Sequence, residues 1–324
     1  MEQADPALRG LVEDGLRRVE RRLREVVVST HPLLSEAAAH LVEAGGKRVR
    51  PMLTLLAGHL GDPDDPRVVD AAVVVELTHL ATLYHDDVMD EAPVRRGAAS
   101  ANARWTNTVA ILTGDHLFAR ASEVVAGLGP EAVLIQSRTF ARLVAGQIAE
   151  TAGPAAGADP VAHHLQVLSD KTGSLIATSA HLGALLAGAR PQDVEQVAAF
   201  GEVFGLAFQL SDDLIDITSD TGQSGKTPGT DLREGVRTLP VLLALRSTDD
   251  GSARLRELLA GPVEDDERHA EALALLRAHP ALEEARQRLH ETVEQARGAA
   301  GRLPGGPARD ALLALADYVA ARTG

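Results

Sequence analysis

Two stretches of the chain carry three aspartates in the same pattern, LYHDDVMD at 83 to 90 and QLSDDLID at 209 to 216. On a helix, Asp86 and Asp90 stand four residues apart and Asp87 and Asp90 three, so the carboxylates gather on one face at the C-terminal end of their segment. Asp212, Asp213 and Asp216 repeat the arrangement. That place is doubly unfavourable for negative charge, because the carboxylates repel one another and the helix dipole is already negative there. Something positive must compensate. Oxygen-only clusters suit Mg²⁺, which keeps several waters and takes one or two carboxylates together with substrate phosphates. Two such clusters facing each other across a cavity would hold several metal ions around one diphosphate. The competing reading, a solvated acidic surface, fits poorly. Both motifs follow apolar runs, and the second follows Phe200, Phe204 and Phe208 at helical spacing, which marks its helix as buried on one side.

The cations point the same way. Of 32 basic residues only three are lysines, Lys47, Lys171 and Lys226, and all three fall in short Gly-containing stretches, GGKRVRP, SDKTG and SGKTPG. A chain that writes nearly all its positive charge as arginine has made a different choice at these positions. PVRRG adds Arg95 and Arg96 just after the first acidic motif. Glycine lets the backbone approach a phosphate, and a nearby Lys or Arg supplies the charge. The two acidic clusters and these loops together outline a site with two anion pockets and two metal clusters.

Around these residues the chain reads as all-α. Ala, Leu, Val, Glu and Arg dominate, and apolar residues recur at three and four. Punctuation predicts a helix from Ser29 or Thr30 to Gly45-Gly46, and a buried one of about 25 residues from Pro66 to EAPVRRG. Further helices are expected over 101–125, 130–152, 158–187, 190–218 and 231–246, with shorter ones to the C-terminus, and TAGPAAGADP and GQSGKTPGT as loops. No Pro/Gly-rich linker divides the chain, so residues 1–324 read as one domain. The absence of cysteine excludes disulfides and thiolate metal sites and agrees with a reducing compartment. The N-terminus has no signal-peptide core, and the apolar run AAVVVELTHLATLY is interrupted by Glu76 and His79, so a cytoplasmic protein without a transmembrane segment is expected. A net charge of −14 argues against nucleic acid as a partner.

With the two DDxxD motifs, GGKRVRP, ELTHLATLYHDD, VRRG, Gly146-Gln147, Lys171-Thr172 and FQLSDD in this order, the chain resembles the trans-isoprenyl diphosphate synthases of the polyprenyl synthetase family over nearly its whole length. The resemblance implies an orthogonal helix bundle around a deep central hydrophobic cavity, as a homodimer. It implies that Asp86, Asp87, Asp90, Asp212, Asp213 and Asp216 hold about three Mg²⁺ on an allylic prenyl diphosphate, the metals stabilising the departing pyrophosphate. Arg95, Lys171 and Lys226 would contact the same diphosphate, with Thr172 beside Lys171 and Gln209 beside the second triad. Lys47, Arg50, His79 and Arg96 would bind isopentenyl diphosphate. His79 lies two turns before Asp86 and within about 20° of it around the helix, so both can face one cavity. Released pyrophosphate would accept the proton lost from the product, and no side-chain base is expected. After the second motif, DLREGVRTLP has Val236 where the family commonly has a lysine, which leaves Arg237 as the candidate to take its place.

Family members control product length by the bulk of the residues four and five before the first triad, here Thr82 and Ala81, both small. These positions lie about 6 to 7.5 Å down the helix from Asp86, and their size resembles long-chain synthases making about six or more isoprene units. A short-chain farnesyl or geranylgeranyl synthase is the alternative, as is a catalytic subunit needing a partner chain. A class I terpene cyclase would leave GGKRVRP unexplained. An HD-type phosphohydrolase, suggested by His85-Asp86, would leave the second acidic motif unexplained.

Overall fold

The computed structural model describes residues 5–219, 228–248 and 252–322. In chain order the elements are α1 (Pro6–Val26), α2 (Pro32–Glu43), α3 (Val49–Gly58), α4 (Pro66–Met89), strands β1 (Val94–Arg95) and β2 (Ala98–Ala99), α5 (Ala101–Arg104), α6 (Asn107–Ala126), α7 (Pro130–Ala152), α8 (Pro160–Leu168), a π-helical turn (Ser169–Gly173) and α9 (Ser174–Leu186). They continue with α10 (Pro191–Thr218), α11 (Thr230–Glu234), α12 (Leu239–Arg246), α13 (Ala253–Leu258), α14 (Asp266–Ala278), α15 (Pro280–Gly301) and α16 (Pro307–Ala321). The all-α expectation holds. Among the described residues the strands form one two-stranded antiparallel hairpin.

Sequence punctuation marked several ends closely. Asp65 accepts the Arg67 amide at 2.9 Å and Pro66 opens α4, while α7 and α10 follow their expected spans. Three expected helices are interrupted. The 101–125 segment breaks at Trp105 and Thr106, where Thr106 turns extended and its hydroxyl caps α6 by accepting the Val109 amide at 3.2 Å. The 231–246 segment breaks at Gly235, a left-handed residue with φ +75° that ends α11. The 158–187 segment widens into the π turn at SDKTG, a type of irregularity frequent at functional sites.

The structure divides into two compact units. Unit 1 comprises Met1–Arg142, Ser174–Gly201 and Arg302–Ala311, and unit 2 comprises Leu143–Gly173, Glu202–Gly301 and Leu312–Gly324. Unit 1 is built on α4, which packs against α1, α3, α6 and α9. Its residues from Val68 to Leu77 are buried almost without interruption, as a helix apolar nearly all round requires. By length and composition α4 could cross a membrane, but most of it is buried inside the protein, which makes it a core helix. In unit 2, α12 packs against α8, α13, α14 and α15.

Close approach of α3 and α9 depends on one glycine. A Cβ on Gly183 would stand 2.1 Å from the Thr54 carbonyl oxygen, a backbone atom that cannot swing away. Gly183→Ala must therefore push the two helices apart. The expected cost is about 1–3 kcal/mol, read as a lower thermal midpoint by calorimetry. An unchanged midpoint would show that the α3–α9 contact carries little of the stability of unit 1.

Candidate active site

The first acidic motif closes α4, and its carboxylates have unequal surroundings. Asp87 is fully buried, Asp86 half-buried and Asp90 exposed. Asp87 Oδ1 accepts Arg95 Nε at 2.6 Å, whereas its Oδ2 is buried with no hydrogen-bond partner. Burial pushes the Asp87 carboxyl up, Arg95 opposes this, and the Asp90 charge adds to the rise. Beyond the motif, the chain turns back through the β1–β2 hairpin, in which Val94 pairs with Ala99 and Arg95 with Ala98. The two turn residues, Arg96 and Gly97, have φ of +54° and +77°, the signs a type I′ turn requires. That turn sends the two adjacent arginines to different places. Arg95 returns to Asp87, while Arg96 Nη1 donates to the carbonyls of Leu41, at 3.1 Å, and Gly45.

Arg96 thereby meets the GGKRVRP segment. A Cβ on Gly46, whose φ is +147°, would stand 3.0 Å from the Arg96 guanidinium carbon, so glycine is needed here both for the backbone and for the space. Lys47 is exposed and Arg50 half-buried, with Arg50 Nε lacking a hydrogen-bond partner. Burial pushes the Arg50 guanidinium down to about 10; Glu76 opposes this and Arg96 adds to it. His79 is held well below the usual histidine range, first by burial and then by the positive charges of Arg50, Arg96, Arg48 and Arg95. It is a neutral imidazole at pH 7, with one N–H to donate. The structure thus gathers Arg50, His79 and Arg96 into one cationic cradle. Arg48, from the same segment, turns away from it into a buried ion pair with Glu76, at 2.6 Å.

The half-exposed face of α4 carries His79, Thr82, Leu83 and Asp86, the spacing of one helical stripe. Thr82 lies on that stripe, its hydroxyl donating to the His79 carbonyl at 2.8 Å. Ala81 is fully buried and sits about 140° around the helix from Asp86. The two residues named for chain length thus occupy different faces, because depth along a helix does not fix direction. Beside the motif, the rings of His85 and Phe118 lie 5.7 Å apart, and those of Phe118 and Phe140 4.3 Å apart.

In unit 2 the second motif lies near the end of α10. Asp212 Oδ1 accepts Arg322 Nη2 at 2.6 Å, and Arg322 also stacks over the Phe208 ring at 5.0 Å. Asp216 accepts the backbone amides of Thr230 and Asp231 at 3.1 and 3.2 Å. Asp213 is buried. Its Oδ1 accepts Gln209 Nε2 at 3.2 Å, and Gln209 Oε1 in turn accepts the Thr172 hydroxyl at 3.3 Å. The π turn places Thr172 at this chain of contacts and sends Lys171 to Glu150, with which it is ion-paired. Asp213 Oδ2 is buried without a hydrogen-bond partner, 3.4 Å from His164 Nε2, itself unpartnered. Lys226 lies outside the described residues. Arg237, the candidate to replace a missing lysine, donates to the Ala260 carbonyl at 3.5 Å.

Among the described residues no three His, Asp or Glu side chains stand together as a ready metal cage. The donor set nevertheless fits a hard divalent cation. Each motif offers carboxylates only, and each retains one buried carboxylate oxygen, Asp87 Oδ2 and Asp213 Oδ2, without a partner. Arg95 and Arg322 meanwhile supply positive charge at the two clusters. The sequence reading missed Glu76, Glu150, His164 and Arg322. Of these only Glu76 left a trace, as a charge inside an apolar run.

The chain is similar to known proteins over nearly its whole length. The polyprenyl synthetase family model matches residues 31–276. Nonaprenyl diphosphate synthase of Mycobacterium tuberculosis is 50% identical over 99% of this chain and 96% of its own length. Dimethylallyltranstransferase of the same organism is 43% identical over 97% of this chain and 96% of its own. Geranylgeranyl pyrophosphate synthase of Corynebacterium glutamicum, solved with calcium and isoprenyl diphosphate, superposes with a TM-score of 0.90 at 45% identity, covering 99% of this chain and 98% of that one. The chain belongs to the polyprenyl synthetase family, transferases that use a divalent metal and share the all-α isoprenoid synthase fold.

Proposed function

We propose that this protein, as one domain over residues 1–324, condenses isopentenyl diphosphate head-to-tail with an allylic prenyl diphosphate to build a long-chain all-trans polyprenyl diphosphate. The observation that carries the reading is the neutral His79 inside an arginine cradle, on the same helix stripe as Asp86 and about 10 Å from it along the axis. A cradle of two guanidiniums that share the attraction of one carboxylate keeps positive charge for a diphosphate. Lys47, Arg50, Arg96 and the His79 N–H bind isopentenyl diphosphate. A neutral imidazole donates there through its one N–H.

Arg95, Lys171, Lys226, Thr172 and Gln209 serve the allylic diphosphate. Asp86, Asp87, Asp90, Asp212, Asp213 and Asp216 would hold about three Mg²⁺, which when bound stabilise the charge developing on pyrophosphate as it departs. Breaking the allylic C–O bond leaves a cation at C1, and the double bond of isopentenyl diphosphate, held in register by its own cradle, supplies the electron pair for the new C–C bond. Loss of a proton to the released pyrophosphate then restores a double bond in a chain five carbons longer. The side chains bind, orient and exclude water, and none is needed as a base.

For product length the reading favours about six or more units, because Thr82 on the open stripe is small and sits about 6 Å from Asp86. The half-buried pair Phe118 and Phe140 supports a shorter product as the second reading, since two aromatic rings beside His85 can stop a growing chain. We further place the enzyme in the cytoplasm as a homodimer. Exposed Ile111 and Leu112 on α6 and Val133 and Leu134 on α7 support a self-association surface, and light scattering should give twice the chain mass.

Asp213→Asn keeps the side-chain size and an acceptor for Gln209 while removing the charge. Turnover at saturating Mg²⁺ is expected to fall by roughly 10²-fold or more with the fold retained. Near-normal turnover would remove the metal role of the second motif. Purified protein given Mg²⁺, isopentenyl diphosphate and farnesyl diphosphate should yield a product ladder reaching at least six units by chromatography. Thr82→Phe should shorten that ladder, whereas Ala81→Phe, at a fully packed position, should chiefly cost about 1–3 kcal/mol of stability. A ladder unmoved by Thr82→Phe would place the length stop on other residues.

A further inference from the structure

Glu76 has no part in the chemistry above, yet it is a carboxylate only 2% exposed in the apolar core helix of unit 1. Buried carboxylates occur where they are paired, and Glu76 is paired twice. Its Oε1 accepts Arg48 Nη1 at 2.6 Å and stands 3.6 Å from Arg96 Nη2. The two guanidiniums differ in what else they do. Arg48 Nε donates to Glu20 Oε1 at 2.5 Å and its Nη2 to the Val42 carbonyl at 2.9 Å, so Arg48 is engaged on all sides and is only 7% exposed. Arg96 Nη1 is spent on the carbonyls of Leu41 and Gly45, while its Nη2 reaches Glu76 only across the longer distance. Arg50 Nε has no hydrogen-bond partner.

Charge balance shows what this arrangement achieves. Arg48 is answered by two carboxylates, Glu20 and Glu76, and Arg95 by Asp87. Arg50 and Arg96, which repel each other, are left with the remaining attraction of Glu76 alone. A negative side chain beneath an anion pocket weakens anion binding by its charge, so its presence makes sense through what it holds in place. It ties down the left-handed Arg48, with φ +48°, at the root of the GGKRVRP turn, and it draws Arg96 toward the helix face that carries His79, three residues further along.

We infer that Glu76 is a positioning residue for isopentenyl diphosphate: one carboxylate oxygen shared between Arg48 and Arg96 sets the spacing of the cradle that Arg50, His79 and Arg96 present to the diphosphate. This rests on the assignment of isopentenyl diphosphate to that cradle. Glu76 touches no substrate, and its effect is carried by the two arginines. Its loss therefore acts on one of the two substrates and spares the other.

The test is steady-state kinetics on the full-length chain with both substrates varied, for Glu76→Gln, Glu76→Asp and, as a reporter of the cradle itself, Arg50→Gln. Glu76→Gln is expected to raise KM for isopentenyl diphosphate on the order of 10- to 100-fold, the range by which losing an outer partner of a metal ligand weakens a metal site, with KM for the allylic substrate unchanged. Glu76→Asp keeps the charge but withdraws it by one methylene, and should raise the same constant to a smaller extent. It also carries the test should Glu76→Gln not fold. If Arg50→Gln raises KM for isopentenyl diphosphate while neither Glu76 variant does, or if the Glu76 variants lower the thermal midpoint and shift both KM values alike, Glu76 is structural only and the inference is overturned. If Arg50→Gln itself leaves that constant unchanged, the cradle is not the isopentenyl site, and both readings fall.

Discussion

Six carboxylates near the C-terminal ends of two largely buried helices create the constraint on which the rest of the structure depends. Like charges repel one another there and the helix dipole is already negative, Asp87 and Asp213 are both buried, and burial pushes the Asp87 carboxyl up. The protein answers each motif locally. Arg95 closes on Asp87, Arg322 on Asp212, and the amides that open α11 close on Asp216. The compensation is incomplete, since one buried oxygen in each motif keeps no hydrogen-bond partner. An unsatisfied buried acceptor costs about 1–3 kcal/mol, and a bound divalent ion is the species that would recover it. The groups whose burial is least compensated are thus the ones to which we assign the metal.

The β1–β2 hairpin turns this constraint into two sites. Arg95 and Arg96 are neighbours in sequence, and on a regular helix both would remain near the motif. Positive φ at Arg96 and Gly97 reverses the chain in two residues, so that Arg95 lies back along Asp87 while Arg96 reaches the carbonyls that end α2. The reversal separates a cation paired with the acidic motif from one held beside Glu76 and the carbonyls at the end of α2. The cradle in turn depends on Glu76, because arginines placed side by side without a carboxylate between them would move apart. The different surroundings of two adjacent arginines therefore follow from backbone geometry as much as from residue type.

The positions of Thr82 and Ala81 illustrate how one residue step changes what a side chain meets. Both are small, both lie close below the motif, and a rise of about 1.5 Å per residue places them at nearly the same depth. One helical step of about 100° separates a side chain on the open stripe from one packed in the core. Bulk at the first changes the room beside Asp86, and bulk at the second changes the packing of α4 against its neighbours.

The amino-acid sequence by itself determined what is periodic or local. Core helix α4 and its start at Pro66 and the spans of α7 and α10 all follow from spacing and punctuation over a few residues. Breaks at Trp105, at SDKTG and at Gly235 were not legible, because each is a local change of hydrogen-bonding pattern selected by what packs against it. Tertiary structure alone decided the partners. Arg322 meets Asp212 from 110 positions away, and Glu20 and Glu76 each meet Arg48 from 28. Glu76 read in sequence as an interruption of an apolar run. In the fold it is the anion around which a cationic pocket is arranged, since a buried charge acquires its role from whichever opposite charge the fold brings within reach.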